Sequence, residues 1–183
     1  GSLLEKDELR GKPCTHAGGF NALSNTKIVA GCDIDPSRLK NFGVDWGVDR
    51  LYDDYKEMLH QENLDVACIA TWTDLHASMV MDAARLGVKA IFCEKPIALN
   101  PHDGHQMVRF CQKKNVSLII NHERRWDSYY QKAKQIIATG KIGEIRTIVG
   151  NTLSSKPGKH PTRTHGGGAL FHDGTHLTDL FLY

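Results

Sequence analysis

The sequence lacks any long apolar run. Its longest runs fall far short of the roughly 20 residues that a membrane-spanning helix needs, and no secretory core stands near the N-terminus. An excess of charge of one sign is also absent, because the formal net charge is +2 and no basic cluster extends beyond short pairs such as Lys113 and Lys114. We therefore expect no membrane partner and no nucleic-acid partner.

Paired cysteines and metal motifs are missing as well. The five cysteines are odd in number and show no CxxC spacing, which favours free thiols in a reducing, cytoplasmic setting. His172 and His176, with His160 and His165, form the one group of side chains that resembles a set of metal ligands. No HExxH motif or cysteine partner supports them, so we predict no metal site.

A glycine-rich phosphate loop is the third absence. Residues 27–32 predict a short strand that ends in Asp33, an acidic residue of the kind that binds adenosine ribose hydroxyls in dinucleotide-binding folds. Such a residue normally follows a GxGxxG turn by about 20 positions, and no such turn precedes Asp33. Capping a turn or a helix is the alternative role for this carboxylate. Residues 1–26 have turn residues and charges but no apolar strand pattern, and the sequence does not place a regular element there.

The middle of the chain alternates between strand and helix patterns. Three apolar runs predict buried strands over residues 66–71, 88–93 and 116–121. Helical patterns with capping residues separate these runs. This alternation predicts an α/β fold with a parallel sheet, Rossmann-type except that its first strand and glycine loop are not recognisable.

The pattern changes after residue 121. Residues 144–151 alternate like a strand with one exposed face, which predicts an antiparallel sheet. We therefore predict two domains, a dinucleotide-binding domain over residues 1–123 and the beginning of a substrate and oligomerisation domain over residues 124–183.

Residues 88–101, VKAIFCEKPIALNP, place polar side chains at the end of a buried strand. In open α/β sheets, ligands bind in the crevice beyond the carboxyl ends of the strands, so Lys95 is a candidate site residue. A solvated surface pair is the ordinary alternative for Glu94 and Lys95.

Two histidines near the C-terminus form a second polar group. His172 and His176 are four positions apart, so a helix brings them onto one face. Imidazole titrates near neutral pH and can take a proton from a hydroxyl group. The alternative is a packed helix start with exposed imidazoles.

With both groups in hand, the sequence resembles the glucose-fructose oxidoreductase and inositol dehydrogenase family, often called Gfo/Idh/MocA. The matching segments are VAGCDIDPSRL, DVACIATWTDLHASMVMDAARLGVKAIFCEKPIAL, INHERRW, GKIGEI and GGGALFHDGTHLTDL. The resemblance implies a Rossmann domain followed by an α/β domain with a large open, mostly antiparallel sheet. It also implies a homo-oligomer and a chain that is part of a longer family pattern.

The resemblance further implies NAD(P)-dependent oxidation or reduction at a hydroxyl-bearing carbon of a sugar, cyclitol or related polyol. Lys95 is then expected to polarise the reacting oxygen and His176 to be the general acid or base. His172 and Asp173 are the candidates to support His176, since the family commonly has Asp four positions before its histidine. The residues expected to contact the cofactor are Asp33 and Ile34 at the adenosine ribose and Thr71, Trp72, His76, Glu94 and Lys95 at the nicotinamide.

The expected cofactor is NAD, with NADP less favoured. A carboxylate at position 33 repels the additional phosphate of NADP, and Arg38 is the one nearby residue that could reverse this preference. Two other functions remain open. The chain could be a catalytically incomplete binding or assembly module, because a fold alone does not prove activity. It could also be an NAD-assisted glycoside hydrolase that uses the same lysine and histidine.

Overall fold

The structure, a computed structural model, describes residues 2–152, 168 and 170–183. It divides into two compact units, residues Gly1–Asp65 and Val66–Tyr183. Within the described ranges, no helix combines the length and apolar character needed to cross a membrane.

The first unit contains a small parallel sheet. Strand β1 (Gly31–Cys32) pairs with β2 (Leu51–Tyr52). The helices of this unit are α1 (Ser2–Glu5), α2 (His16–Asn21), α3 (Pro36–Trp46) and α4 (Tyr55–Gln61). Strand β1 is shorter than the predicted run over residues 27–32, because its partner β2 is only two residues long.

Helix α3 follows β1 directly and has well-defined ends. The side chain of Asp35 accepts hydrogen bonds from the N–H groups of Ser37 and Arg38, and Pro36 occupies the first helical turn. The helix ends at Trp46, and Gly47 follows as its C-terminal cap with a positive φ of 64°, which suits a residue without a side chain. The N-terminal cap lies in the loop after β1, which carries Asp33 and Ile34.

The second unit contains the predicted alternation of strands and helices. Its elements are β3 (Val66–Ile69), α5 (Thr73–Arg85), β4 (Ala90–Glu94), α6 (Pro101–Lys114) and β5 (Ser117–Asn121). The three strands are parallel, with β4 in the centre. Ile91 and Cys93 of β4 are fully buried, and so are Val80 of α5 and Met107 of α6. The prediction of an α/β fold with a parallel sheet is confirmed.

The strand pairings bear on the first strand, which the sequence pattern leaves unrecognised. In the doubly wound order 3-2-1-4-5-6, strand 1 pairs with both strand 2 and strand 4. The pairs β1–β2 and β3–β4–β5 correspond to strands 2–3 and 4–5–6 of that order. No strand precedes Gly31 in the part of the chain that the structure describes.

The remaining described residues are helical or irregular. A 3₁₀ turn (Glu123–Trp126) leads into α7 (Ser128–Ala138), and a π-helical turn (Leu170–Gly174) leads into α8 (Thr175–Leu182). The prediction of a strand over residues 144–151 is wrong, because these residues are irregular and no described strand pairs with them. A strand needs a hydrogen-bonded neighbour, and alternation of apolar residues does not supply one. The domain boundary at residues 123 and 124 stays a prediction.

Candidate active site at the carboxyl end of β4

Glu94 fixes the point where the chain leaves β4. It lies opposite Asn121 in the register of β4 and β5, and Asn121 Nδ2 donates a hydrogen bond of 2.9 Å to Glu94 Oε1. The other carboxylate oxygen accepts a hydrogen bond of 3.2 Å from the backbone N–H of Lys95. Both carboxylate oxygens of Glu94 therefore contribute to holding Lys95 at the carboxyl end of β4.

The half-buried side chain of Lys95 reaches the π-helical turn. Its Nζ donates a hydrogen bond of 2.9 Å to the backbone carbonyl of His172, a residue 77 positions later in the chain. Burial lowers the pKa of the Lys95 ammonium, while the carboxylates of Glu123, Glu94 and Asp173 act in the opposite direction. The contact brings together the two polar groups that the sequence places far apart.

His176 lies in the first turn of the neighbouring helix α8 and is buried, with 7% of its surface exposed. Its Nδ1 lies 3.4 Å from Glu123 Oε1 but makes no hydrogen bond within the described residues. Burial, followed by the positive charges of Lys95 and Arg124, lowers the pKa of His176 to about 4. The imidazole is therefore neutral at pH 7 and can accept a proton.

His172 and Asp173 lie in the π-helical turn before His176. His172 Nδ1 is 2.9 Å from Asp173 Oδ1, so these two side chains contact each other. Asp173 also acts on His176, because its negative charge raises the pKa of that imidazole against the larger effect of burial. The two histidines thus differ in environment, since His172 is partly exposed and His176 is buried.

A partly buried ion pair fixes helix α8, and with it His176. Arg125 Nε and Nη2 donate to the two carboxylate oxygens of Asp179 at 2.8 and 2.7 Å, and His122 Nδ1 lies 3.7 Å from Asp179. Arg125 also lies over the ring of Tyr183, 5.0 Å from its centroid. Sequence reasoning missed this pair, although both residues lie in the segments that carried the family resemblance.

Replacing Asp179 by Asn is expected to lower the free energy of unfolding by about 1 to 3 kcal/mol, because Arg125 loses its negatively charged partner and one of its two hydrogen bonds, since the Asn amide has a single acceptor oxygen. The Arg125 side chain is 40% exposed and recovers part of this loss by contacting water. Urea denaturation of both proteins measures the change. The control is Asp82→Asn, which affects the exposed ion pair with Arg85 on α5 and is expected to cost under about 1 kcal/mol. Equal losses in the two variants contradict the anchoring role.

The residues expected at the nicotinamide lie at the carboxyl ends of β3 and β4, which are adjacent strands. Thr71 and Trp72 connect β3 to α5 and are exposed, whereas His76 in the first turn of α5 is completely buried. Asp33 and Ile34 belong to the first unit, where Asp33 Oδ1 accepts a hydrogen bond of 2.9 Å from the Asp35 N–H. The cofactor roles of these residues stay predictions.

The first unit also has a cleft beside Ile34. Its volume is about 560 Å³, and its lining residues are Ile34, Pro36, Leu39, Leu51, Tyr52, Asp53 and Glu57.

The described residues fit one part of a dinucleotide and not another. Asp33 lies directly after β1, and its carboxylate is of the type that accepts hydrogen bonds from ribose hydroxyl groups. Near α2, by contrast, the Cys14 N–H donates to the carboxylate of Glu5 at 3.0 and 3.1 Å, so a negative group of the chain itself occupies this donor. No glycine-rich turn joins a strand to a helix in the described ranges, and a cradle for the phosphates is absent from them.

Metal ligation has no structural support in the described ranges. No group of three His, Cys, Asp or Glu side chains there could hold a metal ion. His160 and His165 lie outside the described residues. All five cysteines are free.

Comparison with known proteins decides the family. A profile of the oxidoreductase family with an NAD-binding Rossmann fold matches residues 14–122, and the Gfo/Idh/MocA C-terminal domain matches residues 130–183. The chain belongs to the Gfo/Idh/MocA family. The predicted family, Rossmann fold class and NAD-binding character are thereby confirmed.

Relatives of the chain include named dehydrogenases. It is 38% identical to a D-apiose dehydrogenase of Paraburkholderia graminis, over 70% of this chain and 34% of that protein. It is 30% identical to a myo-inositol 2-dehydrogenase of Thermotoga maritima, over 73% of this chain and 40% of that protein. The chain thus spans less than half the length of these two relatives.

The fold is similar to solved structures of the same family. A scyllo-inositol dehydrogenase from Lactobacillus casei, solved with NAD(H) and scyllo-inositol, has a TM-score of 0.67 and 25% identity. The match covers 70% of this chain and 38% of that one.

Proposed function

We propose that this protein is an NAD-dependent oxidoreductase that transfers a hydride between nicotinamide and a hydroxyl-bearing carbon of a sugar, cyclitol or related polyol. The observation that carries the proposal is the approach of the Lys95 ammonium to the π-helical turn that leads into the buried, neutral His176. The substrate class is supported by relatives that are named D-apiose and inositol dehydrogenases.

The chemistry assigns a separate task to each of the two side chains. Oxidising a secondary alcohol requires removal of the hydroxyl proton, and neutral His176 accepts that proton. The Lys95 ammonium donates a hydrogen bond to the same oxygen and stabilises the negative charge that develops on it. Bound NAD supplies the hydride acceptor. Asp173 and His172 support His176 through the charge of Asp173 and the His172–Asp173 contact.

The remaining predicted properties complete the proposal. Asp33 and Ile34 contact the adenosine ribose, while Thr71, Trp72 and Glu94 contribute to the nicotinamide side. The protein works as a homo-oligomer in the cytoplasm, where its free thiols stay reduced. Residues 1–123 form the dinucleotide-binding domain, and residues 124–183 belong to the substrate and oligomerisation domain.

The test of this function is an assay for reduction of NAD⁺ by the purified chain with a panel of cyclitols and pentoses. Net accumulation of NADH supports the dehydrogenase. Cleavage of an aryl glycoside that requires NAD⁺ but releases no net NADH supports the hydrolase instead. Binding of NADH without either reaction supports the binding module.

The preference between the two cofactors is expected to favour NADH over NADPH by at least about tenfold, since Asp33 repels the additional phosphate. Fluorescence titrations of the chain with each cofactor measure this ratio. The test is the ratio of the affinities for NADH and NADPH rather than either affinity alone. The described residues lack a phosphate cradle, which affects the binding of both cofactors. Asp33→Asn is expected to reduce the preference. Equal affinities for the wild-type chain contradict the role of Asp33.

A further inference from the structure

His76 occupies an unusual position for a polar side chain. It lies in the first turn of α5 and has 0% of its surface exposed. Its Nδ1 is 2.9 Å from the carbonyl oxygen of Pro96, and its Nε2 is 3.2 Å from the carbonyl oxygen of Thr71. The ring therefore lies between the segment that follows β3 and the segment that follows β4.

The two ring nitrogens of His76 cannot both donate a hydrogen bond when the ring is neutral. Carbonyl oxygens only accept hydrogen bonds, and a neutral imidazole has a single N–H to donate. The shorter contact, from Nδ1 to Pro96, has the usual length of an N–H···O hydrogen bond. We assign the proton to Nδ1 on this basis. The backbone of Pro96 is thereby hydrogen-bonded to α5.

This hydrogen bond matters for Lys95 because of what proline lacks. Pro96 has no N–H, so its carbonyl is the one backbone group through which residue 96 can be held by a hydrogen bond. Lys95 directly precedes it, and the Lys95 side chain must reach the His172 carbonyl. A fixed Pro96 carbonyl limits the directions that the Lys95 side chain can take.

We propose that His76 is a positioning residue that holds Pro96 and thereby directs the Lys95 ammonium toward the backbone carbonyl of His172 in the π-helical turn. The completely buried ring acts through Lys95, which differs from the direct cofactor contact that the family resemblance implies for His76. The catalytic meaning of this position rests on the proposed function. The positioning itself does not, and it can be measured in the absence of turnover.

The test uses two substitutions that each keep one nitrogen position. Asn at residue 76 places its amide near the position of Nδ1, whereas Gln places its amide near that of Nε2. His76→Gln is expected to increase the rate of reductive methylation of Lys95 by about 2- to 10-fold, the factor that corresponds to one lost hydrogen bond. His76→Asn is expected to leave the rate close to that of the wild-type chain.

Mass spectrometry of peptides gives the rate at Lys95, with exposed Lys113 in the same sample as the internal standard. His105→Gln, at an exposed position on α6, controls for the substitution itself. An unchanged Lys95 rate in His76→Gln overturns the proposal. An equal increase in His76→Asn also overturns it, because a packing role alone does not distinguish the two nitrogens.

A measurement on the wild-type chain avoids dependence on the folding of any variant. Long-range ¹H–¹⁵N spectra report which ring nitrogen of His76 carries the proton. A protonated Nδ1 is expected, and a neutral ring with its proton only on Nε2 overturns the assignment. In an active protein, His76→Gln is expected to lower kcat with little change in KM for NAD⁺, and His76→Asn to retain most of kcat. Failure of the dehydrogenase assay leaves the methylation and tautomer results decisive.

Discussion

Replacing His176 by Asn or Lys95 by Met is expected to reduce kcat/KM for polyol oxidation by about 10²- to 10⁴-fold, the usual contribution of a positioned acid or base. Asn keeps a polar side chain at the buried position but cannot take a proton. Met keeps an unbranched side chain of similar length and removes the charge that stabilises the reacting oxygen. Steady-state rates with NAD⁺ and a substrate found in the panel measure the losses.

The controls for this comparison are equivalent substitutions at exposed positions of α6. His105→Asn and Lys113→Met repeat the same chemical changes outside the site and are expected to leave kcat/KM unchanged. The double variant of Lys95 and His176 is expected to lose less than the product of the single losses, because the two side chains act on one oxygen. Near-normal turnover in either single variant removes that residue from the proposed mechanism.

Acid is expected to destabilise the chain through His176. The pKa of His176 is about 4 in the folded state, against 6.5 as the ordinary value. Between these values the unfolded chain binds the proton more readily, so the stability that neutral His176 preserves above pH 6.5 is lost as the pH falls toward 4. This difference of about 2.5 between the two pKa values corresponds to about 3 kcal/mol of unfolding free energy.

Urea denaturation at a series of pH values between 7 and 4 measures this effect. Other histidines and carboxylates titrate in the same range, so the informative quantity is the difference in pH dependence between the wild-type chain and His176→Asn. The variant is expected to lose less stability on acidification. Parallel curves for the two proteins contradict a buried, neutral His176.

The same pKa sets the expected pH dependence of catalysis. A base with a pKa of about 4 stays active well below neutral pH, so kcat/KM is expected to fall only near that value. Substituting Arg124 by Gln is expected to move the fall to higher pH, because the positive charge of Arg124 contributes to the lowered pKa of His176.

Sequence patterns predicted the strands and helices of the second unit well, because each of these elements is marked by residues that are close together in the chain. Apolar runs and capping residues such as Asn100 define strands and helices within about fifteen residues of chain. The same reasoning failed over residues 144–151, where the apolar alternation was present but no strand of the described residues pairs with them. It also overestimated the length of β1, since hydrogen-bonded pairing depends on a partner that a single segment does not reveal.

The site was predictable only in part. The position of Lys95 at a strand end follows from the order of apolar and polar residues, and the family resemblance drew attention to His176. The contacts of Arg125 with Asp179 join residues 54 positions apart, and no spacing rule indicates such a pair. The burial of His76 is likewise a tertiary property, because a histidine at the start of a helix is equally compatible with exposure.

An NMR titration of His176 in the wild-type chain and in Lys95→Met shows whether the two side chains share one site. Labelled histidine allows the imidazole signals to be followed, and the signal missing from His176→Asn provides the assignment. A shared site predicts a pKa of His176 near 4 in the wild-type chain and a higher pKa once the positive charge of residue 95 is removed. A value near 6.5 that does not respond to Lys95→Met contradicts a shared site for the two side chains.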